Sequence, residues 1–246
     1  MDLHGRKVLV TGAARRVGRE IALAMARRGA DLLVHYRSSA ADAERTADEA
    51  RSQGAMVVTL QADLSTAAGV AAMAREAIAA FGRVDVLVNN ASIYKPTPMD
   101  GLDEGAWDEH MDINLKAPFL CALRLGRSMS RQGEGKIINL VDLAGERPYP
   151  GFLPYCVSKA GLIALTRGLA LELAPKVQVN GISPGPVLDP EGFSREEIRA
   201  VPMKTPLRRM GSPGDVAAAA VFLVEGSDYI TGSILPVDGG WQLAAR

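Results

Sequence analysis

The stretch Val8-Leu9-Val10-Thr11-Gly12-Ala13-Ala14-Arg15-Arg16-Val17-Gly18-Arg19-Glu20-Ile21-Ala22 decides the fold. It opens as a short apolar run, turns at a glycine and continues as a helical pattern to about Arg28. Gly12 permits the tight turn, and Gly18 permits close approach of the helix to the strand. The backbone N–H groups at the helix start, around Arg16 and Val17, have no partner within the helix and suit a pyrophosphate.

Outward from this unit, short β-branched runs alternate with longer helical stretches along the whole chain, the pattern of repeated strand-helix-strand units. The pattern predicts strands over 7–11, 31–36, 56–60, 84–89, 135–141, 177–182 and 233–237, with helices over 17–29, 40–53, 66–81, 104–131, 154–174 and 213–224. No linker, low-complexity tract or repeat interrupts them, so residues 1–246 read as one domain. The expected fold class is α/β: a single doubly wound, Rossmann-type domain with a seven-stranded parallel sheet and helices on both faces.

Composition narrows the function. Basic and acidic side chains balance at 28 each, against a nucleic-acid partner, which needs a basic surplus or face. The longest apolar run, Val216 to Val224, is far shorter than the roughly 20 residues of a membrane span. Two cysteines, Cys121 and Cys156, and the lack of a secretory leader point to reduced thiols and a cytoplasmic protein. His4, His35 and His110 share no ligand spacing, so no metal site is expected.

A doubly wound sheet binds ligands beyond the carboxyl ends of its strands. After the second strand, His35-Tyr36-Arg37-Ser38 stands where such a fold meets an adenosine ribose. No acid is there to accept from a 2′-hydroxyl; Arg37, Arg16 and the Ser38 hydroxyl instead suit a 2′-phosphate, so the expected cofactor is NADPH. Asp63-Leu64 follows the third strand, where an acid can accept from the adenine amino group, and Asn89-Asn90-Ala91-Ser92 makes a small polar turn after the fourth.

The sharpest chemical signal is Tyr155-Cys156-Val157-Ser158-Lys159, since residues four apart share a helical face. A unit positive charge about 4 Å from a phenol is worth on the order of 4 kcal/mol at an effective dielectric near 20. Lys159 is thus expected to lower the pKa of Tyr155 and poise it as a proton donor.

Thr11-Gly12…Gly18, Asn89-Asn90-Ala91, Asn114, Tyr155…Lys159, Asn180…Pro184-Gly185 and Tyr229-Ile230-Thr231-Gly232…Val237-Asp238-Gly239-Gly240 together resemble the short-chain dehydrogenase/reductase family over essentially the whole length. The resemblance implies that Tyr155 gives the proton, that Lys159 holds the nicotinamide ribose, that Asn114 supports a water relay and that the loop after Pro184-Gly185 borders the nicotinamide. It also implies a homotetramer, and the helix over 154–174 is more apolar than one sheet face can cover.

The sequence departs from the family at Asp142, where most members carry a serine that donates to the substrate carbonyl. An ionised carboxylate cannot donate to a developing alkoxide and repels it. It suits a substrate that presents N–H groups or takes up a proton on nitrogen. Asp142, Arg16 in place of the second glycine, and Ala91-Ser92-Ile93-Tyr94-Lys95-Pro96 in place of an Asn-Ala-Gly turn together resemble the pteridine reductase branch. There Tyr94 is expected to stack on a flat pterin, with Ser92, Asp142 and Tyr155 at its polar edge. The expected reaction is hydride transfer to a small-molecule C=N or C=O group, with 187–210 as a substrate loop. A carbonyl reductase of the same family, acting for example on 3-oxoacyl thioesters, and a non-catalytic NADP sensor are the alternatives.

Overall fold

The computed structural model describes residues 1–188 and 195–244. Its strands are β1 (Lys7–Val10), β2 (Asp31–Tyr36), β3 (Val57–Gln61), β4 (Val86–Asn89), β5 (Gly135–Leu140), β6 (Val177–Pro184) and β7 (Ile234–Val237). They form one sheet of order β3-β2-β1-β4-β5-β6-β7, parallel throughout. The helices are α1 (Arg16–Ala26), α2 (Ala40–Ser52), α3 (Ala67–Phe81), α4 (Glu104–Met111), α5 (Ala117–Cys121), α6 (Arg127–Gln132), α7 (Leu153–Glu172), α8 (Arg195–Lys204) and α9 (Pro213–Glu225). The fold is the single α/β domain the alternating pattern predicts.

Strand alternation sorts the core into two layers. Val8 and Val10 face one way with Leu32, Val34, α1 and α9, while Leu9, Leu33 and Leu87 face the other with α3 and α5. Each such buried side chain contributes about 1.5–3 kcal/mol of hydrophobic stabilisation. Because β1 pairs with β2 on one edge and β4 on the other, the crossover direction reverses there, and a cleft opens above their carboxyl ends.

Two local features differ from the sequence reading. The expected helix over 104–131 runs over 104–132 with two π turns, Asp112–Lys116 and Ala122–Gly126, and Asn114 sits in the first. Such turns often mark functional sites. The expected substrate loop contains α8; its residues 189–194 lie outside the described residues. Among the described residues no helix is long and apolar enough to cross a membrane, and no group of three or more His, Cys, Asp or Glu is placed to hold a metal.

Candidate active site

The glycine turn is locked to the turn after β4. Thr11 Oγ1 accepts from the N–H groups of Asn90 (2.9 Å) and Ala91 (3.0 Å), and Asn90 Nδ2 donates back to Thr11 O at 2.8 Å. Gly12 has φ +65°, and a Cβ there would stand 3.1 Å from Ala91 Cα. At Gly18 a Cβ would meet Asn90 Nδ2 and the Gly12 carbonyl. These glycines are therefore required by close backbone approach as well as by conformation.

His35 is placed beneath the turn. Its Nδ1 accepts from Gly12 N–H at 3.1 Å, which fixes the hydrogen on Nε2, and Nε2 donates to Ala62 O at 3.1 Å. Burial pulls its pKa down to about 4, so the ring is a neutral pin. Both its nitrogens are used by backbone, and no side-chain polar atom remains for the ribose expected from sequence.

α1 has no side chain capping its first turn, whereas Thr66 caps α3 and a Ser212–Asp215 capping box closes α9. Arg16 takes φ +56° at the place where the family pattern has glycine. Beside it opens a cavity of about 390 Å³ lined by Ala14, Arg15, Arg16, Arg19, Asp42, Arg45 and Glu49. Asp42 pairs with Arg45 and lies 3.8 Å from Arg15 Nε. Arg37 and Ser38 are exposed at the end of β2, near the ionised Asp63, whose carboxyl Ser65 holds below its ordinary value. Val17 and half-buried Tyr36 pack on the core, and Leu64 is buried within it. The glycine cradle and uncapped helix start fit a dinucleotide's pyrophosphate, while Arg19 pairs with Glu20 and Glu49. Arg19 and Arg45, in one cavity with Arg16, were not singled out from sequence; a basic residue on an amphipathic helix carries no signal of which cavity it lines.

Asn114 is a fully engaged clamp. Its Oδ1 accepts from Ile93 N–H (2.8 Å) and Ser92 Oγ (3.0 Å), while Nδ2 donates to Ile93 O (3.0 Å) and Ser158 Oγ (3.1 Å). The side chain thus joins the loop after β4 to α7. Ser92, itself exposed, donates its hydroxyl hydrogen to this clamp. Gly185, after β6, donates to Val237 O at 3.0 Å, and a Cβ there would stand 2.7 Å from Asp238 Cα, so Pro184-Gly185 lies tight against β7.

Asp142, Tyr155 and Lys159 come together as expected. Asp142 Oδ1 accepts from Ala144 N–H at 2.7 Å, and Tyr155 donates its hydroxyl proton to Oδ2 at 2.7 Å. The turn holding Asp142 reaches α7 because Gly145 lacks a side chain: a Cβ there would stand 2.7 Å from Ala160 N. Lys159 donates to Leu140 O at 2.8 Å, with Nζ 5.7 Å from the Tyr155 ring centre.

This arrangement overturns the expected acidification of the phenol. Burial first, and then the charge and hydrogen bond of Asp142, push Tyr155 well above its ordinary value. Burial lowers Lys159 to about 8, opposed by Asp142. The carboxylate touches the phenol directly and adds to the effect of burial, while the ammonium is turned to a backbone carbonyl.

Tyr94 stacks on Phe152, with centroids 4.5 Å apart and planes 12° from parallel, and meets Tyr155 edge-on at 4.8 Å. Tyr149 donates to the Tyr94 hydroxyl at 3.3 Å and packs edgewise on Phe152 at 5.4 Å. A parallel bridge between Thr97 and Phe152 ties the loops after β4 and β5 together. Tyr149 and Phe152 were not named from sequence, because loop aromatics carry no periodicity.

A family profile described as "Enoyl-(Acyl carrier protein) reductase" matches residues 12–242. The chain is 37% identical over 242 residues to a Staphylococcus aureus protein named 3-oxoacyl-[acyl-carrier-protein] reductase FabG, covering 97% of this chain and 98% of that one. It is 36% identical over 249 residues to 3beta-hydroxysteroid dehydrogenase 1 of Eggerthella lenta, covering 98% and 95%. A crystal structure described as a short-chain alcohol dehydrogenase from Sinorhizobium meliloti superposes with a TM-score of 0.94 at 36% identity, covering 99% of both chains. None of these three names is that of a pteridine reductase, the branch expected from sequence.

Proposed function

Because this chain belongs to the short-chain dehydrogenase/reductase family and is an oxidoreductase, we propose that it reduces a C=N bond in a flat nitrogen heterocycle, as a pteridine (dihydropterin) reductase does, with NADPH as reductant. The observation that carries this reading is the 2.7 Å hydrogen bond from Tyr155 to Asp142. A carboxylate fixed at that place repels an alkoxide and favours nitrogen that gains a proton. NADPH supplies the hydride when bound. Gly12, Val17 and Gly18 would cradle its pyrophosphate, with Arg16, Arg37 and Ser38 toward the 2′-phosphate and Asp63 toward the adenine. Asn90, Ala91, Lys159, Pro184 and Gly185 would border the nicotinamide riboside. Tyr155, or Asp142 through water, would pass a proton to the nitrogen of a neutral C=N substrate.

The names of the relatives favour a second reading, reduction of a 3-oxoacyl thioester, more than they favour the first. NADPH oxidation with a dihydropteridine and with an acetoacetyl thioester separates the two. Pteridine turnover supports the first; thioester turnover without it replaces the first by the second. Tight NADPH binding with no turnover on a broad carbonyl and imine panel leaves only a sensor. For assembly we propose a homo-oligomer, since Leu153, Val157 and Leu171 of α7 and Phe119 of α5 are exposed apolar side chains. Sedimentation as a monomer at micromolar concentration refutes it.

A further inference from the structure

We propose that the preferred substrate is already charged when it meets the reductant: a flat cyclic iminium, with Asp142 as its counter-ion and Tyr94, Tyr149 and Phe152 as its aromatic surround. This rests on the reading of the site as a C=N reductase and narrows it to one charge state.

Three observations point the same way. Asp142 accepts on both oxygens, from Ala144 N–H and from the Tyr155 hydroxyl, each at 2.7 Å, so the carboxylate is fixed in place. Aromatic rings crowd beside it, Phe152 stacked on Tyr94 and Tyr149 bonded to the Tyr94 hydroxyl. Ring faces and a carboxylate are the two surfaces that attract an organic cation. Third, the site's own cation is turned away: Lys159 Nζ is buried and donates to Leu140 O at 2.8 Å. Reduction of a neutral acceptor demands a proton from Tyr155, whose hydroxyl hydrogen is already donated to Asp142 at 2.7 Å.

A charged substrate removes that demand. The iminium carbon accepts the hydride, the C–N π pair becomes the nitrogen lone pair, and the amine leaves neutral. No proton is delivered in this step. The positive charge passes from the substrate to the oxidised nicotinamide, so charge and electrons balance.

N-methyl dihydroisoquinolinium, a permanent cation, and tetralone, a neutral bicyclic ketone of similar shape, form the test pair, each with NADPH and the wild-type protein. The cation should be turned over with a kcat/KM about a hundredfold above the ketone. Asp142→Asn should lower both kcat/KM for the cation and its calorimetric affinity in the presence of NADP⁺ by about tenfold. Asp142→Ser should narrow the preference from the ketone side. Equal turnover of cation and ketone overturns the proposal, and so does cation affinity that Asp142→Asn leaves unchanged. Reduction of a dihydropteridine without reduction of the cation also overturns it, yet spares the C=N reading; failure of both substrates removes both. The wild-type comparison stands even if a variant misfolds.

Discussion

Tyr155 donates its hydroxyl proton to Asp142 Oδ2 across 2.7 Å, so the phenol ionises only against the pull of the carboxylate. The carboxylate raises the phenol and also raises Lys159, which burial alone would bring lower than about 8. Replacing Asp142 by Asn removes the charge from both neighbours. The alkaline limb of the kcat pH profile should then move to lower pH by about one unit. A limb that stays in place in Asp142→Asn means that Asp142 does not act through these groups.

Tyr155→Phe tests the donor directly. With a neutral dihydropteridine, kcat should fall by about a hundredfold or more while KM changes little, because the lost interaction belongs to the transition state. Unchanged turnover in steady-state assays removes the phenol from the mechanism.

His35 makes stability depend on pH in a defined window. Its pKa falls from 6.5 to about 4 on folding, so the unfolded chain binds a proton that the folded one refuses. Stability is therefore full above about 6.5 and declines as pH drops toward 4, by about 3 kcal/mol over that interval. Urea midpoints measured across the window should show this slope in the wild type and a flatter one in His35→Asn, whatever the stability of the variant at neutral pH.

Gly18→Ala should be the more damaging glycine change, because its Cβ meets the Gly12 carbonyl, which is backbone and cannot swing aside. A loss of about 1–3 kcal/mol in thermal or urea unfolding is expected, together with weaker NADPH binding. Gly12→Ala, at φ +65°, should cost about 1–2 kcal/mol from backbone conformation alone.

Arg16→Gly separates cofactor from fold. The backbone at φ +56° suits glycine, so stability should change by less than about 1 kcal/mol. The NADPH-over-NADH preference in kcat/KM should drop by about tenfold as a guanidinium–phosphate contact is lost. An unaltered preference places the 2′-phosphate elsewhere.

The sheet was legible because each strand is an apolar run closed by turn residues, and β2 matches its predicted bounds at Asp31 and Tyr36. The meeting of Asp142 with Tyr155 and Lys159 was legible too, as helical spacing plus a family pattern. The direction of the phenol's acidity was not: it depends on burial first and then on a 2.7 Å contact with Asp142, and no spacing rule encodes either. Tyr149 and Phe152 were hidden for another reason, since they reach Tyr94 from a loop after a different strand. The bond from Ser92 to Asn114, which lies in a π turn, has no sequence signal either.

Thr11, Asn90 and His35 hold the glycine turn with hydrogen bonds that stay wholly inside the protein. The shape of the proposed phosphate seat is thus settled during folding, and a dinucleotide bound there would not have to order it. Association should incur little reorganisation, so discrimination among nucleotides falls to the charged rim and not to an adaptive closure of the cradle.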